Sequence, residues 1–521
     1  MKNISKKISL LICIISVISM IMCGCGVSKQ GQSTNSSETK EIVCGSSFQP
    51  KGIDPAVDWN GWYSVKYGLG ETLVKTNDKM EIEPWIAKEW NKIDDTTWSI
   101  IIKDGVKFND GREVKGEDIK ISLERTIRMN EMMASLLDIT SIDVKANELI
   151  IKNNKPNPTF ISSLAMPLTT IHDAKAADEN NEDFIKNPIL TGPFTLKEYA
   201  KDNQVIVVKN ENYWGEKSNL DKVTFKYIPD SNTRVMALQS GEIQIADNVP
   251  SENIEFLSKD EKYEILSEST LRTHMIILNE DTEIFKDENV KRAINMGFDR
   301  DEIVQKLMQG SGISAIGPFP SILPFGSEKI NAYKYDVDTA NKLLNESGWI
   351  MNDNNIREKN GKKLEFNCLC YNSRPELPVI LEAIQGQLNK IGISMTITNV
   401  ENMTEELEKG NFEAAVYSMN TSPTGDSQYF LDSVFKTGAD SNFGKYSNKK
   451  LDELIEKLRT TFDINERNNI TQQAQQIIVD DSDFIFLVYP KTSMAINKEV
   501  KGLKLSPIEY YMLTQEVDRM K

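Results

Sequence analysis

Ser433-Val434-Phe435-Lys436 and Lys436-Thr437-Gly438 are the runs in this 521-residue sequence that spell catalytic motifs. In an SxxK site the serine is a nucleophile activated by a nearby base, and KTG belongs to a different element of the same site. Here the two runs share Lys436, so they cannot be two halves of one site, and the match reads as coincidence. Residue counts close other routes to catalysis. His172 and His274 are the only histidines, which excludes HExxH. Neither a G-x-x-x-x-G-K-[ST] phosphate loop nor a G-x-S-x-G elbow occurs. Acid pairs such as Asp94-Asp95 and Asp480-Asp481 read as solvated turns. Two carboxylates facing one bond would serve a glycosidase, but nothing in the chain order brings two together.

The remaining candidates are groups suited to holding a molecule without reacting with it. Trp59, Trp62, Tyr63 and Tyr67 fall within nine residues, in a glycine-punctuated segment soon after a strand. That placement fits a pocket wall and equally a core. Arg374 precedes Pro375 and a helix read over 378–391. A guanidinium there can grip a carboxylate through two parallel hydrogen bonds, or simply cap a surface turn. After a strand read over 414–418, the loop 421–431 (TSPTGDSQYFL) adds Tyr417, Thr424, Asp426 and Tyr429, with Asn442 beyond. Arg272 and His274 lie in an apolar strand, where strand pairing and a satisfied core histidine are the simpler readings.

These residues need a scaffold, and the chain is too long for one core, since cores stop growing near ~250–300 residues. The stretch 191–246 reads as strand, strand, helix, strand. Val223, Phe225 and Tyr227 alternate with polar neighbours, and Ser231 or Asn232 is expected to cap a helix ending at Gly241. Residues 115–125 read as an amphipathic helix with Ile119, Leu123 and Ile127 on one face. Two apolar runs, 271–279 and 486–489, read as buried strands. Cys44, Cys368 and Cys370 are too few for a disulfide framework and read as buried thiols. Cys368 and Cys370 are expected on opposite faces of a strand and unpaired. The net charge of −16, without basic clusters, argues against nucleic acid.

The N-terminus is different in kind. Lys2, Lys6 and Lys7 precede an apolar run, 8–22, that is short against the roughly 20 residues of a membrane span. Met22-Cys23-Gly24-Cys25 follows. This resembles the lipobox of bacterial lipoproteins, with Cys25 as the lipidated first mature residue, residues 1–24 as signal peptide and 25–40 as anchor and flexible tether. A lipid-held protein on the extracytoplasmic face of the membrane is the resulting expectation.

Linked motifs cover nearly the whole remaining chain: Glu71–Val74, Glu83–Trp90, Asp94–Trp98, Asp104–Gly111, Gly116–Arg125, Thr191–Phe194, Asn212-Tyr213-Trp214 and Ala237–Glu242. Their order closely resembles the signature of family 5 extracellular solute-binding proteins, receptors of ATP-driven (ABC) importers for oligopeptides, dipeptides and nickel. The resemblance implies an α/β, periplasmic-binding-protein type II fold: two hinged lobes with an extra third domain. Lobe I would comprise 41–70, 190–271 and 488–521, lobe II 71–189, and lobe III 272–487. It also implies a monomer without enzymatic activity or a resident cofactor, partnered by permease subunits. Such a receptor would close on a peptide or on a nickel or metal-chelate solute. In dipeptide receptors an Arg-Pro like Arg374-Pro375 takes the ligand carboxylate. Where peptide receptors carry D-x-x-D-P, this chain has Pro423 and keeps only Asp426. Met419 and Gln428 stand where nickel receptors carry an arginine and a histidine. An exported hydrolase or a peptide-pheromone sensor on the same scaffold is the alternative.

Overall fold

The computed structural model describes residues 39–520, so the expected signal peptide, Cys25 and nearly all of the tether lie outside the described residues. A twelve-stranded sheet dominates the rest. From edge to edge its main path runs Ser394–Asn399, Glu365–Cys370, Ala414–Asn420, Arg272–Leu278, Phe484–Asn497, Ile245–Ala246, Glu41–Ser46, Lys222–Tyr227, Gln204–Lys209 and Phe194–Ala200. Both α/β hallmarks are present. Glu365–Cys370 and Ser394–Asn399 pair in parallel with the helix Glu376–Asn389 between them, and Glu41–Ser46 pairs in parallel with Lys222–Tyr227.

One strand ties the two ends of this sheet together. Phe484–Asn497 pairs through its first part with Arg272–Leu278 and through its second with Tyr263–Ser269. It is longer than its apolar core, 486–489, announces, because Thr492 and Ser493 continue the strand with polar side chains. Its register against Arg272–Leu278 shifts between His274 and Met275. Bulges of this kind re-aim a side chain beside a functional site.

A separate four-stranded antiparallel sheet, ordered Ala87–Asp94, Thr97–Ile102, Glu148–Asn153, Ile139–Lys145, carries the helix Gly116–Met129. Ile119 and Leu123 of that helix are fully buried, as the 3.6-residue period demands. Arg125, from the same helix, reaches the loop after the first strand and clamps Asp54 with two hydrogen bonds of 2.8 and 2.5 Å.

Two expectations need correction. The helix Ser231–Ser240 is capped not by Ser231 or Asn232 but by Asp230, whose carboxylate accepts from the Thr233 amide; the helix ends, as expected, at Gly241 with φ +79°. Cys368 and Cys370 share one face, because residues two apart in a strand point the same way; both sit in one core cluster, and they and Cys44 are free thiols.

Gly192 of the Thr-Gly-Pro-Phe turn is a glycine for steric reasons. A Cβ there would lie 2.3 Å from the Gly68 carbonyl oxygen and 2.7 Å from the Gly70 amide, both backbone atoms that cannot step aside. Gly192→Ala is therefore expected to destabilise the protein by about 1–3 kcal/mol, the usual cost of overpacking, read as a shift in the denaturation midpoint.

Candidate functional site

Arg374 ends the loop after Glu365–Cys370, just ahead of the helix Glu376–Asn389. It lines a cleft of about 410 Å³ together with Arg272, Glu376 and Glu509. Phe48, Tyr227, Asn248 and Val249 line it as well. A concave site with a few charged groups is the usual form of a small-molecule site.

The charges in it are ordered. Arg272 Nε donates to Glu509 Oε2 at 2.8 Å, and the Arg272 guanidinium lies 5.6 Å from the Trp62 ring centre. His274 Nε2 lies 3.1 Å from Glu376 Oε1. Arg374 stands among these groups, with neither a hydrogen bond nor an ion pair from its side chain to any described residue. Burial, and then the nearby Arg272, lower its pKa. A guanidinium stays protonated regardless, so it presents five donors and no internal acceptor. Burial alone would raise Glu376; the hydrogen bond from His274, and then the charge of Arg374, outweigh it and hold this carboxyl below its ordinary value. Burial pushes His274 below its ordinary value against the pull of Glu376, and we take the ring as neutral, with its proton on Nε2. Burial likewise opposes ionisation of Glu509, and Arg272 and Arg374 more than compensate.

Glu509 sits in the left-handed region with φ +62°, a conformation costly for a residue with a side chain. Its carbonyl accepts a hydrogen bond from Trp62 Nε1 (3.1 Å) while its carboxylate takes Arg272. The next residue, Tyr510, packs edge-on against Trp62 at 5.5 Å and donates its hydroxyl to the Pro423 carbonyl. Neither Glu509 nor Tyr510 stood out in the sequence. The only signal was the clustering of Glu509, Tyr510 and Tyr511 behind Pro507.

The other expected site residues divide. Trp62 stands beside Arg272. Tyr417 is half-buried, 6.4 Å from Tyr371 and 6.3 Å from Phe443, in an aromatic wall. Tyr429 lies near Tyr417, and burial first, then that neighbour, push its hydroxyl up to about 12. Trp59 is 40% exposed and touches the group only through Trp62, at 6.3 Å. Tyr63 packs on Tyr67 and the core around Phe225. Thr424 is buried. Asn442 spends its amide on the Lys436 and Tyr446 carbonyls and its oxygen on the Tyr446 amide, which closes its own loop. Asp426 is held by Arg467 through two hydrogen bonds, 3.0 and 2.6 Å. This pair occupies the loop's one acid, so Asp426 is not free for a ligand amine. Asp426→Asn is expected to cost about 3 kcal/mol of stability, as when one partner of a buried ion pair is removed, and to change solute affinity by less than about twofold. Denaturation and binding titrations of the variant check both.

Ser433 donates its hydroxyl to the Tyr429 carbonyl, and Lys436 pairs with Glu456. The apparent motif pair is thus engaged in local structure. Among the described residues no group of three or more His, Cys, Asp and Glu is placed to hold a metal ion, and no helix is long and apolar enough to cross a membrane.

Comparison with known proteins agrees with this architecture. Residues 81–442 match the family described as "Bacterial extracellular solute-binding proteins, family 5 Middle". The nickel-binding protein NikA of Staphylococcus aureus is 29% identical over 495 residues, covering 95% of this chain and 96% of its own. Its crystal structure in complex with Ni(L-His)2 superposes with a TM-score of 0.81 over 92% of this chain and 100% of that one. The nickel ABC transporter structure from Bacillus halodurans is 33% identical, with a TM-score of 0.75 and coverage of 92% and 100%. The oligopeptide-binding protein AppA of Bacillus subtilis is 28% identical over 530 residues, covering 96% and 97%. The fold is the type II periplasmic-binding-protein fold. The role is capture of a small ligand for the permease of an ABC importer, with no catalytic step. The chain belongs to the family 5 bacterial extracellular solute-binding proteins.

Proposed function

We propose that the solute is a small, carboxylate-bearing molecule, and specifically a nickel(II) chelate of an amino acid such as histidine. The observation that carries this is Arg374, a cleft guanidinium left without a partner beside a second guanidinium, Arg272. Two like charges held together are unfavourable unless an anion joins them, and carboxylates fit guanidinium bidentately. Asp426, the acid a peptide amine would seek, is engaged by Arg467. A metal entering this cleft must bring most of its donors with it, which a chelate does. The likeness to the two nickel proteins points the same way. A short peptide is the second reading, because Glu376 and Glu509 flank Arg374 and offer negative charge to an amine.

Lobes are assigned as lobe I, 41–70, 190–271 and 488–521; lobe II, 71–189; and lobe III, 272–487. Closure of lobe III on the others around the cleft captures the solute. Phe48 and Tyr227 are its aromatic lining, with Trp62 set against Arg272. Cys25 carries the lipid that keeps the protein, a monomer, on the outer face of the membrane after removal of residues 1–24. The test is a titration of intrinsic tryptophan fluorescence with nickel(II) plus two equivalents of L-histidine, against nickel(II) alone, L-histidine alone and L-alanyl-L-alanine. Saturable binding by the mixture alone is expected. Equal or tighter binding of the dipeptide selects the second reading, and binding of free nickel(II) overturns the chelate.

A further inference from the structure

Arg374 has a rival for its charge within its own loop. Glu376 is two residues away, in the first turn of the helix, with 27% of its side chain exposed. A carboxylate with that freedom would be expected to choose the neighbouring guanidinium, the strongest partner in reach. It does not: among the described residues its one ion-pair partner is His274, through the 3.1 Å contact to Nε2. Resting on the carboxylate reading of the cleft, we infer that His274 is a positioning residue, which holds Glu376 off Arg374 and so keeps that guanidinium open for the solute.

The strand geometry fits this role better than it fits a plain core histidine. His274 is fully buried, yet its Nδ1 has no hydrogen-bond partner. The Oγ of Ser418, which stands opposite His274 in the strand register, is also buried without one. A histidine placed only for packing would not leave its other ring nitrogen orphaned next to a hydroxyl. The ring instead spends its one N–H outward, on Glu376, at the point where the strand register shifts. Arg272, two residues earlier on the same face, is committed to Glu509. Two of the three carboxylates that line the cleft, Glu376 and Glu509, are thereby engaged by groups other than Arg374; the third, Glu252, comes from the helix Ser251–Ser258 and makes no ion pair with Arg374. Glu376, Arg374 and Arg272 are the charged groups that act on this ring, and Glu509 and Tyr371 act in turn on Arg374.

The experiment uses the fluorescence titration with nickel(II) bis-L-histidine and with L-alanyl-L-alanine. In His274→Phe the ring volume stays and the donor goes, so Glu376 is released to Arg374. The probe that binds the native protein is expected to weaken by about tenfold, the scale of one charged hydrogen bond. In the double variant His274→Phe with Glu376→Gln the released anion is gone while Glu509 stays with Arg272, and most of that loss is expected to be recovered. His274→Gln, which keeps a side-chain N–H, is expected to recover most of it too, and it carries the test should the phenylalanine variant not fold. A role in packing alone would not be rescued by changing Glu376. His274→Phe binding as tightly as the native protein, or a double variant as weak as the single one, overturns the inference. Arg374→Ala separates the two levels: if it binds the probe as tightly as the native protein, or if the native protein binds neither probe, the carboxylate reading itself falls and this inference with it.

Discussion

Arg374→Ala loses at least about a hundredfold in solute affinity, because two charge-assisted hydrogen bonds go together and each contributes about 1.5–3 kcal/mol. Arg374→Lys keeps the charge but not the planar fork, and its loss is about tenfold. Stability moves the other way. Arg374 satisfies no protein acceptor, and its burial beside Arg272 is a cost in the empty protein. Removing it relieves that cost, so the denaturation midpoint of Arg374→Ala is equal to or slightly above that of the native protein. This is the signature of a residue kept for binding at the expense of stability. Titration and denaturation of the same preparation check it. A drop in stability accompanied by unchanged affinity would show that the guanidinium is a structural group after all.

The same contrast shows what could be read from the chain alone. The place of Arg374 just ahead of a helix was legible because Arg-Pro before an apolar-periodic run is a local pattern, and local patterns survive in sequence. The helix over Gly116–Met129 and the strands around Val223 and Phe225 were legible for the same reason. Asp426 was misleading because its fate is decided by Arg467, on a helix 41 residues later, and no spacing rule announces that pair. Glu509 and Tyr510 were invisible because nothing in the last turns of the chain marks their return to Trp62. His274 was placed correctly on an apolar strand, but its partner depends on a one-residue register shift. Registers and long-range ion pairs are set by tertiary packing. The linked family motifs supplied the global fold that periodicity alone could not.

Glu71 shows how two of those motifs meet, and it makes the stability of this protein depend on pH. Its side chain is fully buried and accepts hydrogen bonds from Tyr213 Oη (2.6 Å) and Trp214 Nε1 (2.8 Å) of the Asn212-Tyr213-Trp214 motif; its amide donates to Thr191 Oγ1. Among the described residues it has no ion-pair partner. Lys103 Nζ lies 5.7 Å from the Trp214 ring centre, and Lys75 and Glu83 line the adjoining cavity. Burial dominates these two donors and raises this carboxyl from 4.5 to about 7. The sign follows directly. Between those two values the folded state holds a proton that the unfolded state has released, so the contribution of Glu71 to stability is fully present below pH 4.5 and is lost as pH rises through 7. At about 1.4 kcal/mol per pKa unit the loss is about 3 kcal/mol. Glu71→Gln has no proton to lose, and its amide oxygen can still accept from Trp214. The difference in unfolding free energy between Glu71→Gln and the native protein, from urea denaturation at a series of pH values, is expected to shift by about 3 kcal/mol in favour of the variant between pH 4 and 8. A difference that stays flat across that range would mean that Glu71 is ionised throughout, with the two indole and phenol donors supplying what a lysine would elsewhere.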